Sequence, residues 1–138
     1  MASDMDPVAD FMRQKVWAVV GASRDPEKYG NRILVALLEA GYDVYPINPG
    51  ADEVAGRKAY PDLASLPVRP EVVDTVVPPM VTLQVVKEAI RLGIPRIWMQ
   101  PGSESEEAIA LAESNGIAVV HDTCAMAIAR GRSASTES

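Results

Sequence analysis

The run Gly21-Ala22-Ser23-Arg24-Asp25-Pro26-Glu27-Lys28-Tyr29-Gly30 brings together residue types that can hold a phosphate. Gly21 permits a tight turn and a close backbone approach. Ser23 offers a hydroxyl donor. Gly30 and Asn31 stand near the start of the next expected helix, where unpaired N–H groups and the positive end of the dipole favour an anion. Arg24, Lys28 and Arg32 add positive charge to a chain with a net charge of -6. The spacing is not G-x-G-x-x-G, so the NAD fingerprint is absent. The next strand-like run ends in Pro46-Ile47-Asn48-Pro49, without the acidic residue that would hold a ribose diol. A nucleotide phosphate would therefore be held differently from that of a nicotinamide-dependent dehydrogenase. The bland alternative is an ordinary strand-to-helix turn.

A second group is His121, Asp122 and Cys124. His121 is the single histidine and Cys124 the single cysteine. A Cys-His pair can perform nucleophilic catalysis. No oxyanion donors are recognisable, however, and residues two or three apart rarely aim at one point, so no catalysis is expected. Asp122 or Thr123 instead suits the N-cap of a final helix, with Cys124 a small apolar thiol on it. Glu104, Glu106 and Glu107 fit the first turn of a helix by dipole complementarity. They lack a histidine or other third ligand, so no metal is expected. Met80, Met99 and Met126 are candidates for a pocket wall or for core filling.

These residues sit in a chain that alternates strand and helix. Asp6 to Gln14 reads as a short helix with Asp6 as N-cap and Pro7 at the first position. Strands are expected over 16–20, 42–47, 72–77, 96–100 and 117–120. Helices are expected over 31–40, 82–92, 105–115 and, after a turn, up to Arg130. Gly41, Gly93 and Gly116 are their stop signals. The segment 51–70 is irregular, with an extended piece near Arg57-Lys58 and a helical turn near Asp62 to Leu66. The 138 residues suit one α/β domain over 6–130, with disordered ends at 1–5 and 131–138. The expected architecture is a single Rossmann-like, doubly wound, parallel five-stranded sheet of order 3-2-1-4-5. Trp17 and Trp98, in the first and fourth strands, would then be neighbours. Ligands of such sheets bind outside the carboxyl ends of the strands.

The acidic balance argues against a nucleic-acid partner, which needs clustered Lys and Arg. It does not argue against an anionic small molecule held by backbone N–H groups. One cysteine excludes an intramolecular disulfide and a cysteine zinc cluster. No apolar run is long enough to span a bilayer and no signal peptide is visible, so a cytoplasmic protein without a membrane partner is expected.

Gly21-Ala22-Ser23, Lys28-Tyr29-Gly30 and the run from Gly41 to Pro49 together resemble the small CoA-binding domain proteins of bacteria. So do Val76-Val77-Pro78-Pro79, Trp98-Met99-Gln100-Pro101-Gly102 and the run from Val119 to Met126. The chain is also similar to the CoA-binding domain of the succinyl-CoA synthetase alpha subunit. The resemblance implies a module that binds coenzyme A or an acyl-CoA. Gly21, Ser23, Lys28 and Gly30 would hold the pyrophosphate, with Ala22, Arg24 and Tyr29 in the same loop. Asn48 and Pro49 would flank the adenosine, and Val77 and Pro78 the adenine side of the crevice. Met99, Gln100 and Gly102 would follow the pantetheine; if that arm ran towards the fifth strand, its thiol would come near Cys124. The synthetase needs a second domain with a phosphorylated histidine, so the ligase reaction is not expected here. A homodimer, or docking on a partner enzyme, is compatible with the pattern. Two other functions are weighed: an NAD(H)-type dinucleotide-binding redox sensor, and a small enzyme acting on acyl-CoA.

Overall fold

Val16–Val20 is an unbroken apolar run, and it forms a central strand, β1, whose last four residues are buried. The computed structural model describes residues 6–129; the termini expected to be disordered lie outside these residues. The other strands are β2 (Asp43–Ile47), β3 (Glu53–Val54), β4 (Arg57–Lys58), β5 (Val72–Thr75), β6 (Arg96–Met99) and β7 (Ala118–Val120). The helices are α1 (Pro7–Met12), α2 (Tyr29–Glu39), α3 (Pro79–Leu92) and α4 (Glu106–Ser114), with a 3-10 turn at Leu63–Ser65. Residues 125–129 are also helical. Asp6 caps α1 through Val8 N as expected, and Ser105 caps α4 through Ala108 N.

Five strands form one parallel sheet in the order β2-β1-β5-β6-β7. The Rossmann-like α/β class is as expected, but the strand order is not. Counting only the five expected strands, it is 2-1-3-4-5 rather than 3-2-1-4-5. The physical reason lies in β2. Pro46 has no N–H to give a neighbouring strand and belongs at an edge. Its carbonyl points outward to Tyr60 N at 3.0 Å, and Asn48 N returns a bond to Tyr60 O at 2.9 Å. The antiparallel β3–β4 hairpin and a bridge between Ile47 and Tyr60 occupy that side, so the chain re-enters the sheet beside β1 instead.

Two apolar layers cover the sheet. Phe11, Trp17, Leu34, Leu37, Val44, Val72 and Trp98 pack beneath α1, α2 and the last helical segment. Val73, Val86, Ala89, Ile97, Met99 and Ala108 pack beneath α3 and α4. Trp17 and Trp98 are not on adjacent strands, since β5 runs between β1 and β6. Their rings still meet across it on the first face, with centroids 5.9 Å apart. Among the described residues no helix is long and apolar enough to cross a membrane.

Candidate ligand crevice

The strand order moves the switch point. From β1 the chain turns towards β2, and from β5 it turns towards β6, so the crevice opens between β1 and β5 rather than between the first and fourth strands. Two loops form its mouth: residues 21–28 after β1 and residues 76–78 after β5.

Gly21 has φ +98°, and a Cβ there would lie 2.2 Å from the Val76 carbonyl oxygen. Only glycine lets the two strand ends approach this closely. Gly30 lies in the first turn of α2, which begins at Tyr29, two residues before the expected start at Asn31. A Cβ on Gly30 would lie 2.0 Å from the Gly21 carbonyl oxygen. The two glycines thus seat the start of α2 directly on the end of β1.

Side-chain amides fix the loop in this position. Asn31 Nδ2 donates to Ser23 O at 2.8 Å, and Asn48 Nδ2 donates to Ala22 O at 2.9 Å. The Ser23 hydroxyl oxygen accepts from Asp25 N at 3.1 Å, which leaves its proton to donate elsewhere. Lys28 is the N-cap of α2 and supplies no side-chain cap, unlike Asp6 and Ser105 in α1 and α4. Asn31 N and Arg32 N bond to Lys28 O, and no side chain caps the earlier N–H groups of Tyr29 and Gly30. Arg24 and Lys28 are exposed beside them. Asn48 also accepts from Gly50 N through Oδ1. Asn48→Ala is therefore expected to lower the unfolding free energy by about 1–2 kcal/mol, read by urea denaturation.

A cleft of about 410 Å³ lies between the ends of β1 and β2 and the face of α3. Gly21, Ala22, Asn48, Pro49 and Val77 are on its wall, with Leu63, Val81, Val85 and Glu88 opposite. A second groove of about 430 Å³ is bounded by Val76–Pro79 and Pro101–Ser103. Val77 borders both, so the two adjoin and together mark a path from Pro49 to Gly102. Gly21, Ala22, Asn48, Pro49, Val77, Pro78 and Gly102 all lie along it.

Other expected site residues lie beneath this path. Met99 is fully buried in the layer under α3 and α4. Gln100 is also fully buried, and its Nε2 donates to Asp74 Oδ1 at 2.6 Å. Gln100 Oε1 accepts from Ala125 N at 3.1 Å and so holds the start of the last helical segment. Neither Asp122 nor Thr123 has that role. Asp122 has φ +68° and lies 2.6 Å from His121 Nδ1. The Tyr29 hydroxyl donates to Cys124 Sγ at 2.7 Å and lies 3.4 Å from Gln100 Oε1. Burial, and then the bond to Cys124, hold the Tyr29 hydroxyl above the usual tyrosine range. No hydrogen bond joins His121 to Cys124 among the described residues, as each is engaged by a different neighbour.

Two residues of this region were not singled out from the sequence. Asp74 is completely buried in β5, its Oδ2 has no partner, and burial raises its carboxyl well above the usual range against the weaker pull of Gln100. A lone acid in the apolar run Val72-Val73-Asp74-Thr75 was the available signal. Glu88 faces the cleft, and its spacing from Val81 and Val85 put it on their side of α3.

The CoA binding domain family model matches residues 15–130. The chain is 31% identical to an uncharacterized Bacillus subtilis protein, YneT, over 114 residues that cover 83% of this chain and 84% of that one. It is 32% identical over 106 residues to an ADP-forming acetate–CoA ligase of Archaeoglobus fulgidus, covering 75% of this chain but only 16% of the ligase. A hypothetical protein from Pyrococcus horikoshii superposes with a TM-score of 0.85 at 38% identity, covering 93% of this chain and 92% of its own. With a glycine-built loop at its switch point and a family match over nearly its whole described length, this chain belongs to the CoA-binding domain family.

Proposed function

We propose that this chain binds coenzyme A, free or acylated, along the path from Pro49 to Gly102, and performs no chemistry on it. The observation that carries this reading is the seating of the uncapped start of α2 on the end of β1 through Gly21 and Gly30. A Cβ on Gly21 would press on Val76 O and one on Gly30 on Gly21 O, so either would push the loop and the start of α2 out of the position proposed to meet the pyrophosphate. First-turn N–H groups of α2, the Ser23 hydroxyl, and the Arg24 and Lys28 side chains would neutralise and orient the diphosphate. The apolar cleft beside Asn48, Pro49 and Val77 would take the adenine, and the groove beside Pro78 and Gly102 would take the start of the pantetheine arm. Met99 and Gln100 support this surface from below. Tyr29 ties the start of α2 to Cys124, so Cys124 is positioned on the first apolar face, under the cradle.

The end of β2 also argues for CoA over a nicotinamide dinucleotide. Asn48 spends its side chain on Ala22 O and Gly50 N, and the end of β2 itself, Ile47 to Gly50, carries no acidic residue for a ribose diol. The ligases similar to this chain are several times its length, so a role in docking on a partner enzyme belongs to this proposal too. Calorimetric titration with CoA, NADH and ADP tests the reading. CoA is expected to bind at least about tenfold more tightly than NADH, a difference of about 1.4 kcal/mol. Tight NADH binding without CoA binding overturns it. Hydrolysis of acetyl-CoA by the purified protein overturns its non-catalytic part.

A further inference from the structure

The cleft between the strand ends and α3 is lined mainly by Ile47, Leu63, Val77, Val81 and Val85, and three polar side chains also border it: Asn48, Asp62 and Glu88. Two of these are already committed. Asn48 uses its amide N–H on Ala22 O and its amide oxygen on Gly50 N. Asp62 Oδ1 accepts from Ser65 N at 2.9 Å and caps the 3-10 turn. Glu88 remains. Its side chain is 21% exposed, and its partner is Arg91 at 3.6 Å, whose side chain is 66% exposed. A pair at this distance whose cation is largely exposed holds a carboxylate only weakly.

We propose that Glu88 reads the 6-amino group of the adenine, making the cleft selective for a 6-aminopurine; this rests on the CoA reading above. An apolar slot gives a flat base affinity but no means of telling one purine from another. A carboxylate at its border supplies that means, because it accepts and never donates. An N–H edge gains a charge-assisted hydrogen bond there. A base with no donor at that position leaves the half-buried carboxylate desolvated without compensation, and a carbonyl edge meets it as like against like. Glu88 borders the cleft from α3, across from the end of β1, so its charge is separated from the anionic groups seated at the start of α2.

The test compares CoA with its analogue carrying unsubstituted purine in place of adenine, titrated calorimetrically into the wild-type chain, Glu88→Gln and Glu88→Met. The wild type is expected to prefer CoA by at least about tenfold. Glu88→Met is expected to bring the two affinities within about twofold, mainly by weakening CoA. Glu88→Gln keeps an acceptor oxygen and is expected to retain part of the preference. Equal affinities in the wild type overturn the proposal without reference to any variant. A preference kept in full by Glu88→Met, with an unchanged thermal midpoint, overturns it as well. A wild-type chain that binds neither compound overturns the CoA reading and the proposal with it, whereas loss of selectivity alone leaves the CoA reading standing.

Discussion

Gly30→Ala is expected to weaken CoA binding by at least about a hundredfold, or about 2.7 kcal/mol, and to destabilise the fold. On helix propensity alone the sign would be the opposite, since alanine is favoured over glycine by about 1 kcal/mol within a helix. The new methyl, however, would lie 2.0 Å from the Gly21 carbonyl oxygen and 3.0 Å from its carbon. Both are backbone atoms, held by the bond from Gly21 N to Ile47 O and by the amides of Asn31 and Asn48 on the next two residues. Neither can move aside as a flexible side chain would. The start of α2 has to lift, which costs about 1–3 kcal/mol in a packed site. The N–H groups proposed to meet the diphosphate lift with it. Urea denaturation and calorimetry on the same sample read both effects. A stabilised variant with unaltered CoA affinity would show that α2 does not press on the loop and that the phosphates lie elsewhere.

The same contact separates what was legible in the sequence from what was not. The alternation of apolar runs and glycine-stopped helices was enough to locate the five parallel strands within one or two residues. It also located the loop after β1. Strand order is a long-range property that periodicity does not carry. Pro46 did carry it, since a residue with no N–H to donate fits an edge strand, and β2 could not then lie between two others. The start of α2 was placed too late because Lys28 offers none of the usual capping side chains. That omission is the feature proposed to make the helix end a ligand site. Met99 ends β6 and Gln100 follows it at the crevice. Alternation along a strand points them to opposite faces of the sheet, and both are covered by helices. Asp74 went unnoticed because its neighbours alone satisfied the pattern of a buried strand.

Asp74→Asn is expected to gain stability relative to the wild-type chain as pH rises above about 4. The folded Asp74 carboxyl is raised well above its usual range by complete burial, and the donation from Gln100 only partly opposes this. Below the unfolded-state value, near 3.9, both states hold the proton and its burial carries no ionisation penalty. Above it the unfolded chain releases the proton while the folded chain keeps it. The folding equilibrium then loses about tenfold per pH unit until the folded carboxyl itself titrates. Glu71 works in the opposite sense. Its carboxylate accepts from Lys15 N and Val16 N, is lowered by those bonds, and stabilises the fold at higher pH, with that contribution lost as the solution is acidified. Both variants contain Glu71, so its effect cancels in their difference. In Asp74→Asn the Gln100 amide can still donate to the retained oxygen. The new amide nitrogen takes the place of the partnerless Oδ2, a cost that does not vary with pH. The diagnostic quantity is therefore the slope: urea denaturation from about pH 4 upward should show the advantage of Asp74→Asn growing with pH until the folded carboxyl titrates. A difference that stays flat would mean that Asp74 ionises freely in the folded chain. The buried series Asp74–Gln100–Tyr29, which joins the middle of the sheet to the start of α2, would then lack the neutral acid at its base.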